Sequence, residues 1–263
     1  MERSPSPEPS GPRAGLVLRS VTVRFGGLLA LDEVSLHVAP GAVVGVIGPN
    51  GAGKTTVFNV ICGFVRPAAG WLGLDGAPLT ARPHQLAGLG IARTLQGVGL
   101  FDGLTVLENV MAGATVSART PFAAAALALP GSEREERRLR AEALARLDEL
   151  GVAAHADRMP GTLPYPVRKR VALARALAAN PRLLLLDEPA GGLGPEDVAE
   201  LGDLIRGLTC SVMLVEHHMD LVMAVCDELV VLDFGRVIAT GTPDAVRDDP
   251  AVAEAYLGAE VTA

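Results

Sequence analysis

The sequence predicts an α/β fold built round a mostly parallel sheet, and three observations carry that prediction. Short, nearly all-apolar runs at 42–47, 183–186 and 212–215 have the composition of strands buried on both faces. They alternate with stretches of helical periodicity, as parallel strands joined by crossovers require. The first run passes through a glycine-rich turn straight into a helix pattern at about 53–64, and the second ends in two acids.

Taken in order, residues 1–14 are rich in Ser, Pro and Gly without apolar periodicity and are expected to be a disordered tail. Residues 16–25 and 31–38 alternate apolar with polar side chains, the pattern of half-buried strands, and predict an N-terminal β-subdomain. Between roughly 97 and 165 the character changes to a helical insert. Its stretch 133–150 places Leu139, Ala143, Leu144, Leu147 and Leu150 on one face and Arg and Glu on the other, with Glu136–Arg140 and Glu142–Arg146 four apart. Helix patterns at 167–178 and 196–207 flank the second apolar run. One domain is expected over 15–258, with a short tail at 259–263.

Composition narrows the function. In 263 residues, 49% hydrophobic residues suffice for a sizeable core, and a net charge of −7 argues against a general nucleic-acid coat. The basic run Arg168-Lys169-Arg170 reads as a solvated helix face. Cys62, Cys210 and Cys226 form no CxxC pair and read as reduced core thiols of a cytosolic protein. The opening residues lack the apolar stretch of a signal peptide, and the best apolar run, 122–129, is far too short to span a bilayer. Work at a membrane therefore requires docking onto other subunits.

Gly48-Pro49-Asn50-Gly51-Ala52-Gly53-Lys54-Thr55 fits the phosphate-loop pattern and sits between a strand and a helix. Backbone N–H groups curl around phosphate there, and the helix N-terminus adds its dipole. Lys54 is suited to the β/γ-phosphates, the Thr55 hydroxyl to Mg²⁺, and Thr56 continues the nucleotide-binding turn. Only two of the 23 basic residues are Lys, which makes Lys54 more telling. At the end of the second apolar run, Asp187 is suited to hold Mg²⁺, directly or through water, and Glu188 to polarise an attacking water. Two histidines follow Glu216. Neighbours on one strand cannot both face one site, and His217, at the strand's end, is the candidate for the γ-phosphate.

Together these elements resemble an ABC-type ATP-binding cassette, over about residues 15–258. The resemblance implies a P-loop NTPase fold with an antiparallel β-subdomain and a helical subdomain at about 97–180. It implies hydrolysis of ATP with Mg²⁺, Phe25 stacking on adenine, and Gln96 touching Mg²⁺ and coupling the cassette to its membrane partner. The runs 48–64, 100–110, 216–223 and 241–243 are similar to the ATP-binding subunits of branched-chain amino acid importers, with urea and amide importers much alike. That likeness implies two permease subunits, an extracytoplasmic solute-binding protein, and a peripheral place on the cytoplasmic face of the membrane. The family's signature loop falls at Leu163-Pro164-Tyr165-Pro166-Val167, where Pro166 has no N–H and Pro164 neither N–H nor hydroxyl. The D-loop position, normally Asp or Asn, is Gly194. What the chain offers a partner is thus impaired while its own nucleotide-holding half is complete. That asymmetry predicts a heterodimer with a second ATP-binding subunit; a subunit with little hydrolysis of its own is the alternative.

Overall fold

A computed structural model describes residues 15–94, 97–115 and 132–260. The expected N-terminal tail, the apolar run at 122–129 and Gln96 lie outside the described residues.

Two sheets organise the chain. The smaller is antiparallel, with β1 (Leu16–Phe25), β2 (Leu28–Val38), β4 (Ala69–Leu74) and β5 (Ala77–Pro78) in the order β2-β1-β4-β5. The larger holds β3 (Val43–Ile47), β6 (Ile91–Arg93), β7 (Leu183–Asp187), β8 (Ser211–Val215), β9 (Glu228–Asp233) and β10 (Arg236–Gly241) in the order β10-β9-β3-β8-β7-β6. All its pairings are parallel except β9 with β10.

The three apolar runs are buried on both faces, as their composition requires. On β3, Val43 and Ile47 point into one apolar core while Val44 and Val46 point into the other; Leu184 and Leu186 on β7 oppose Leu183 and Leu185 in the same way. The second core, shared with the antiparallel sheet, takes in helix α1 (Lys54–Ile61) through Val57, Phe58, Val60 and Ile61. The first takes in α2 (Val106–Ala114), α3 (Ser132–Glu149) and α4 (Tyr165–Leu177), the helical stretch. Helix α2 opens on a reciprocal cap, with Glu108 N–H donating to Thr105 Oγ1 and Thr105 N–H to Glu108 Oε2. Helices α5 (Pro195–Arg206), α6 (Met219–Val225), α7 (Pro243–Arg247) and α8 (Pro250–Glu260) complete the described chain.

Several boundaries differ from expectation. Strand β2 starts at Leu28 rather than 31, because a tight turn at Gly26 lets pairing with β1 begin at Phe25. Helix α1 stops at Ile61, and α4 starts at Tyr165, two residues early, with Pro164 as its cap. Helix α8 runs to Glu260, into the stretch expected as a tail. On α3, Arg138 pairs with Glu135 and Glu142, and Arg146 with Glu149, rather than in the 136–140 and 142–146 pairs.

Candidate functional site

Register puts the site at one edge of the larger sheet. Val46 on β3 and Asp187 on β7 both lie level with Val215 on β8, so three strands end side by side. Strand β6 ends at the same edge, with Arg93 level with Leu185. Each strand releases a chemically loaded segment there: Gly48 to Lys54 from β3, Glu188 from β7, Glu216 and His217 from β8.

The phosphate loop is shaped by its glycines. Gly48 has φ 144°, and a Cβ there would lie 2.0 Å from the Leu232 carbonyl oxygen; Gly53, at φ 102°, caps α1 in the left-handed region. Lys54 Nζ folds back over the loop, donating to the carbonyls of Gly48 at 2.7 Å and Pro49 at 2.9 Å. Its partial burial pushes the ammonium pKa down, while the nearby Glu188 carboxylate opposes that shift. Asn50 and Gly51 are exposed at the tip, Ala52 is buried beneath it, and Thr55 and Thr56 open α1 with the Thr55 side chain exposed. Phe25, at the end of β1, is 49% exposed, an aromatic face open to a ring.

At the end of β7, Asp187 is 6% exposed, and its Oδ2 accepts from Arg93 Nη2 at 2.7 Å. Arg93 also donates to Asn59 Oδ1 at 3.0 Å, and its guanidinium lies over the Phe58 ring. Strand β6 is further tied here by Thr94, whose hydroxyl accepts from Asp187 N–H. The next residue, Glu188, turns into the left-handed region at φ 48°, a conformation non-glycine residues adopt at a cost and one that clusters at reacting sites. The oxygen donors Thr55 and Asp187 have the hard-ligand chemistry that Mg²⁺ takes.

Three residues of this site had no sequence assignment. Arg93, three residues before Gln96, had no role, and Glu216 ends an apolar run that looked complete without it. Lys169 corrects the reading of 168–170 as a solvated face. Its ammonium is half-buried and donates to the carbonyls of Glu188 at 3.0 Å and Pro189 at 2.9 Å. Its neighbours are part-buried too, Arg170 paired with Glu200 and Arg168 lying over the Tyr165 ring with its Nε buried. The sequence signal for Lys169 was its rarity, one of two lysines.

Of the two histidines, the His217 side chain is 58% exposed at the strand end, and His218 caps α6. The Pro164 to Val167 segment forms the start of α4, with Pro166 in its first turn, and Gly194 caps α5. Gly192, between them, lies against the Tyr165 ring.

Comparison with known proteins places this geometry. A family model described as ABC transporter matches residues 31–191. The chain belongs to the ABC transporter ATP-binding family. A second model, branched-chain amino acid ATP-binding cassette transporter, matches residues 236–262 of the cassette. The cassette is 42% identical to the high-affinity branched-chain amino acid transport ATP-binding protein BraF of Pseudomonas aeruginosa, and 39% to LivG of Escherichia coli K12, each over 92% of this chain and 97% of the relative. The lipopolysaccharide export ATP-binding protein LptB of Acidithiobacillus ferridurans is 38% identical over 88% of this chain and 91% of its own length. Among solved structures, the ADP conformation of an ABC-transporter cassette superposes with TM-score 0.79 at 31% identity, covering 92% of this chain and 98% of that one. The cassette is thus a nucleotide-binding ATPase subunit of a transporter, and among the described residues no helix is long and apolar enough to cross a membrane.

Proposed function

We propose that this cassette energises import of branched-chain or related amino acids, hydrolysing ATP on the cytoplasmic face of the membrane beside two permease subunits fed by an extracytoplasmic solute-binding protein. The observation that carries the chemistry is the level ending of β3, β7 and β8, which puts the Lys54 loop, Glu188 and His217 at one edge. For the solute, BraF and LivG supply the support, together with the match at 236–262 to a branched-chain amino acid model.

In this reading the N–H groups from Gly48 to Thr56 and the Lys54 ammonium hold the phosphates, and Phe25 stacks on adenine. Lys54 is already drawn across the loop by two carbonyls, so phosphate oxygens exchange weak neutral acceptors for charged ones. Glu188 takes the proton of the attacking water, while His217 and Gln96 contact the γ-phosphate side. Thr55, Gln96 and Asp187 would hold Mg²⁺, which when bound would offset negative charge on the phosphates.

The partner surface is asymmetric. Pro166, in the first turn of α4, has no N–H to give a nucleotide held across an interface. We infer a heterodimer in which ATP on this chain, capped by the partner cassette, turns over, and the mirror site works slowly. Steady-state ATP hydrolysis of the assembled transporter in lipid tests this with Glu188→Gln. Loss of nearly all turnover is expected; retained turnover would place hydrolysis at the site closed by Pro164 and Pro166 and overturn the reading.

A further inference from the structure

Glu216 is fully buried at the end of β8, and its carboxylate is divided between two segments. Its Oε1 accepts from Ala190 N–H at 2.7 Å; its Oε2 accepts from the N–H groups of His217 at 2.7 Å and His218 at 3.1 Å. A buried charge is tolerated only when bonded, and three backbone donors meet that need. One oxygen therefore holds the turn that leaves Glu188, and the other holds the segment that carries His217. From the far side the Lys169 ammonium of α4 grips the same turn through the Glu188 and Pro189 carbonyls. Burial pushes the Lys169 pKa down, and the charges of Glu216 and Glu188 oppose that shift.

Glu216, His217 and His218 also bring ligand atoms within 4.8 Å of one another. The carboxylate is already engaged by three backbone donors on two segments, so the cluster reads as a bracket. None of the three bonds uses the His217 imidazole, whose Nδ1 stands 3.7 Å from Oε2.

We propose that Glu216 is a positioning residue for hydrolysis, a rigid bracket that fixes the Glu188 turn and His217 relative to each other. The inference rests on the reading of Glu188 and His217 as the hydrolytic pair. Among the described residues the hydrogen bonds of Glu216 go to Ala190, His217 and His218 and none to the phosphate loop or Phe25, so it governs turnover and not nucleotide affinity. Glutamine at this position keeps one acceptor oxygen but presents an amide N–H₂ to the other donors. Aspartate keeps the charge and is one methylene too short to span both segments.

The experiment compares wild type, Glu216→Gln, Glu216→Asp, His217→Ala, the double variant Glu216→Gln/His217→Ala and Glu188→Gln in the assembled transporter, alongside binding of a fluorescent ATP analogue. Expected for both Glu216 variants is a fall in kcat of about ten- to a hundredfold with KM for ATP and analogue affinity within about twofold. The double variant is expected to lose less than the product of the two single losses, because one of the bracket's two arms acts through His217. Unchanged kcat, a parallel loss of nucleotide affinity, or additive losses in the double variant would overturn the proposal. Failure of both Glu216 variants to fold would overturn it too, assigning the residue to stability alone. Turnover surviving Glu188→Gln would instead sink the underlying site reading.

Discussion

Asp187 and Arg93 show how much one residue can rest on a neighbour. The carboxylate is almost wholly buried at the end of β7, and the guanidinium opposite it has a side-chain exposure of 14%. Removing the cation strands a charge away from water, the case in which losing one partner of a buried pair costs about 3–5 kcal/mol. Arg93→Ala is therefore expected to lower the unfolding free energy by an amount of that order, read as a lower urea midpoint without a change in slope. Arg93→Lys should recover part of it, since one ammonium cannot reach both Asp187 and Asn59 as the guanidinium does. A loss under about 1 kcal/mol for Arg93→Ala would show the pair to be solvent-screened.

At the scale of elements, helix α4 concentrates the unusual chemistry of the chain. Its first turn holds Pro164, Tyr165 and Pro166, which the helix accommodates because first-turn N–H groups have no partner within a helix. The fold therefore accepts two prolines that have no N–H to give a neighbouring nucleotide. Each missing charge-assisted hydrogen bond to a neighbouring nucleotide is worth about 1.5–3 kcal/mol, one to two decades in rate if felt only in the transition state. Pro164→Ser with Pro166→Gly and Val167→Gln is accordingly expected to raise hydrolysis in a Glu188→Gln background by about tenfold or more; no gain would show that the prolines do not limit the mirror site. The strands β3, β7 and β8 were legible because nearly unbroken apolar runs of four to six residues admit few other readings. So was the phosphate loop, whose spacing is dictated by backbone geometry. Strand β6 escaped because Ile91–Arg93 is only three residues long and gains its place from β7, far along the chain, whereas β9 went unassigned although Leu229 to Leu232 is as apolar as the run in β7. Arg93, Lys169 and Glu216 escaped for a related reason: each is a charge whose burial depends on a partner in another element.

Across the whole molecule, one sheet separates two apolar cores, and the three thiols are distributed between them. Cys62 lies in the core shared with α1, Cys226 in the core shared with the helical stretch, and Cys210 packs half-buried against the latter. Burial pushes all three thiols up, Cys226 to about 12, with the Asp227 charge adding to it. A raised thiol pKa means that the folded chain keeps a proton the unfolded chain releases. The contribution to stability is complete below the ordinary thiol value of 9.0 and declines as pH rises toward about 12. The lysines oppose this: Lys54 and Lys169 are depressed, so folding gains from their earlier deprotonation until the unfolded lysine value of 10.5 is passed. Comparing wild type with Cys226→Ala isolates the thiol, because the packing lost at Gly45 and Leu229 is the same at every pH. Wild type is expected to lose stability relative to Cys226→Ala by up to about 1.4 kcal/mol per pH unit across that window, and by nothing below it. Parallel unfolding curves from pH 8 to 11.5 would mean that the Cys226 thiol titrates as freely in the folded core as in the unfolded chain.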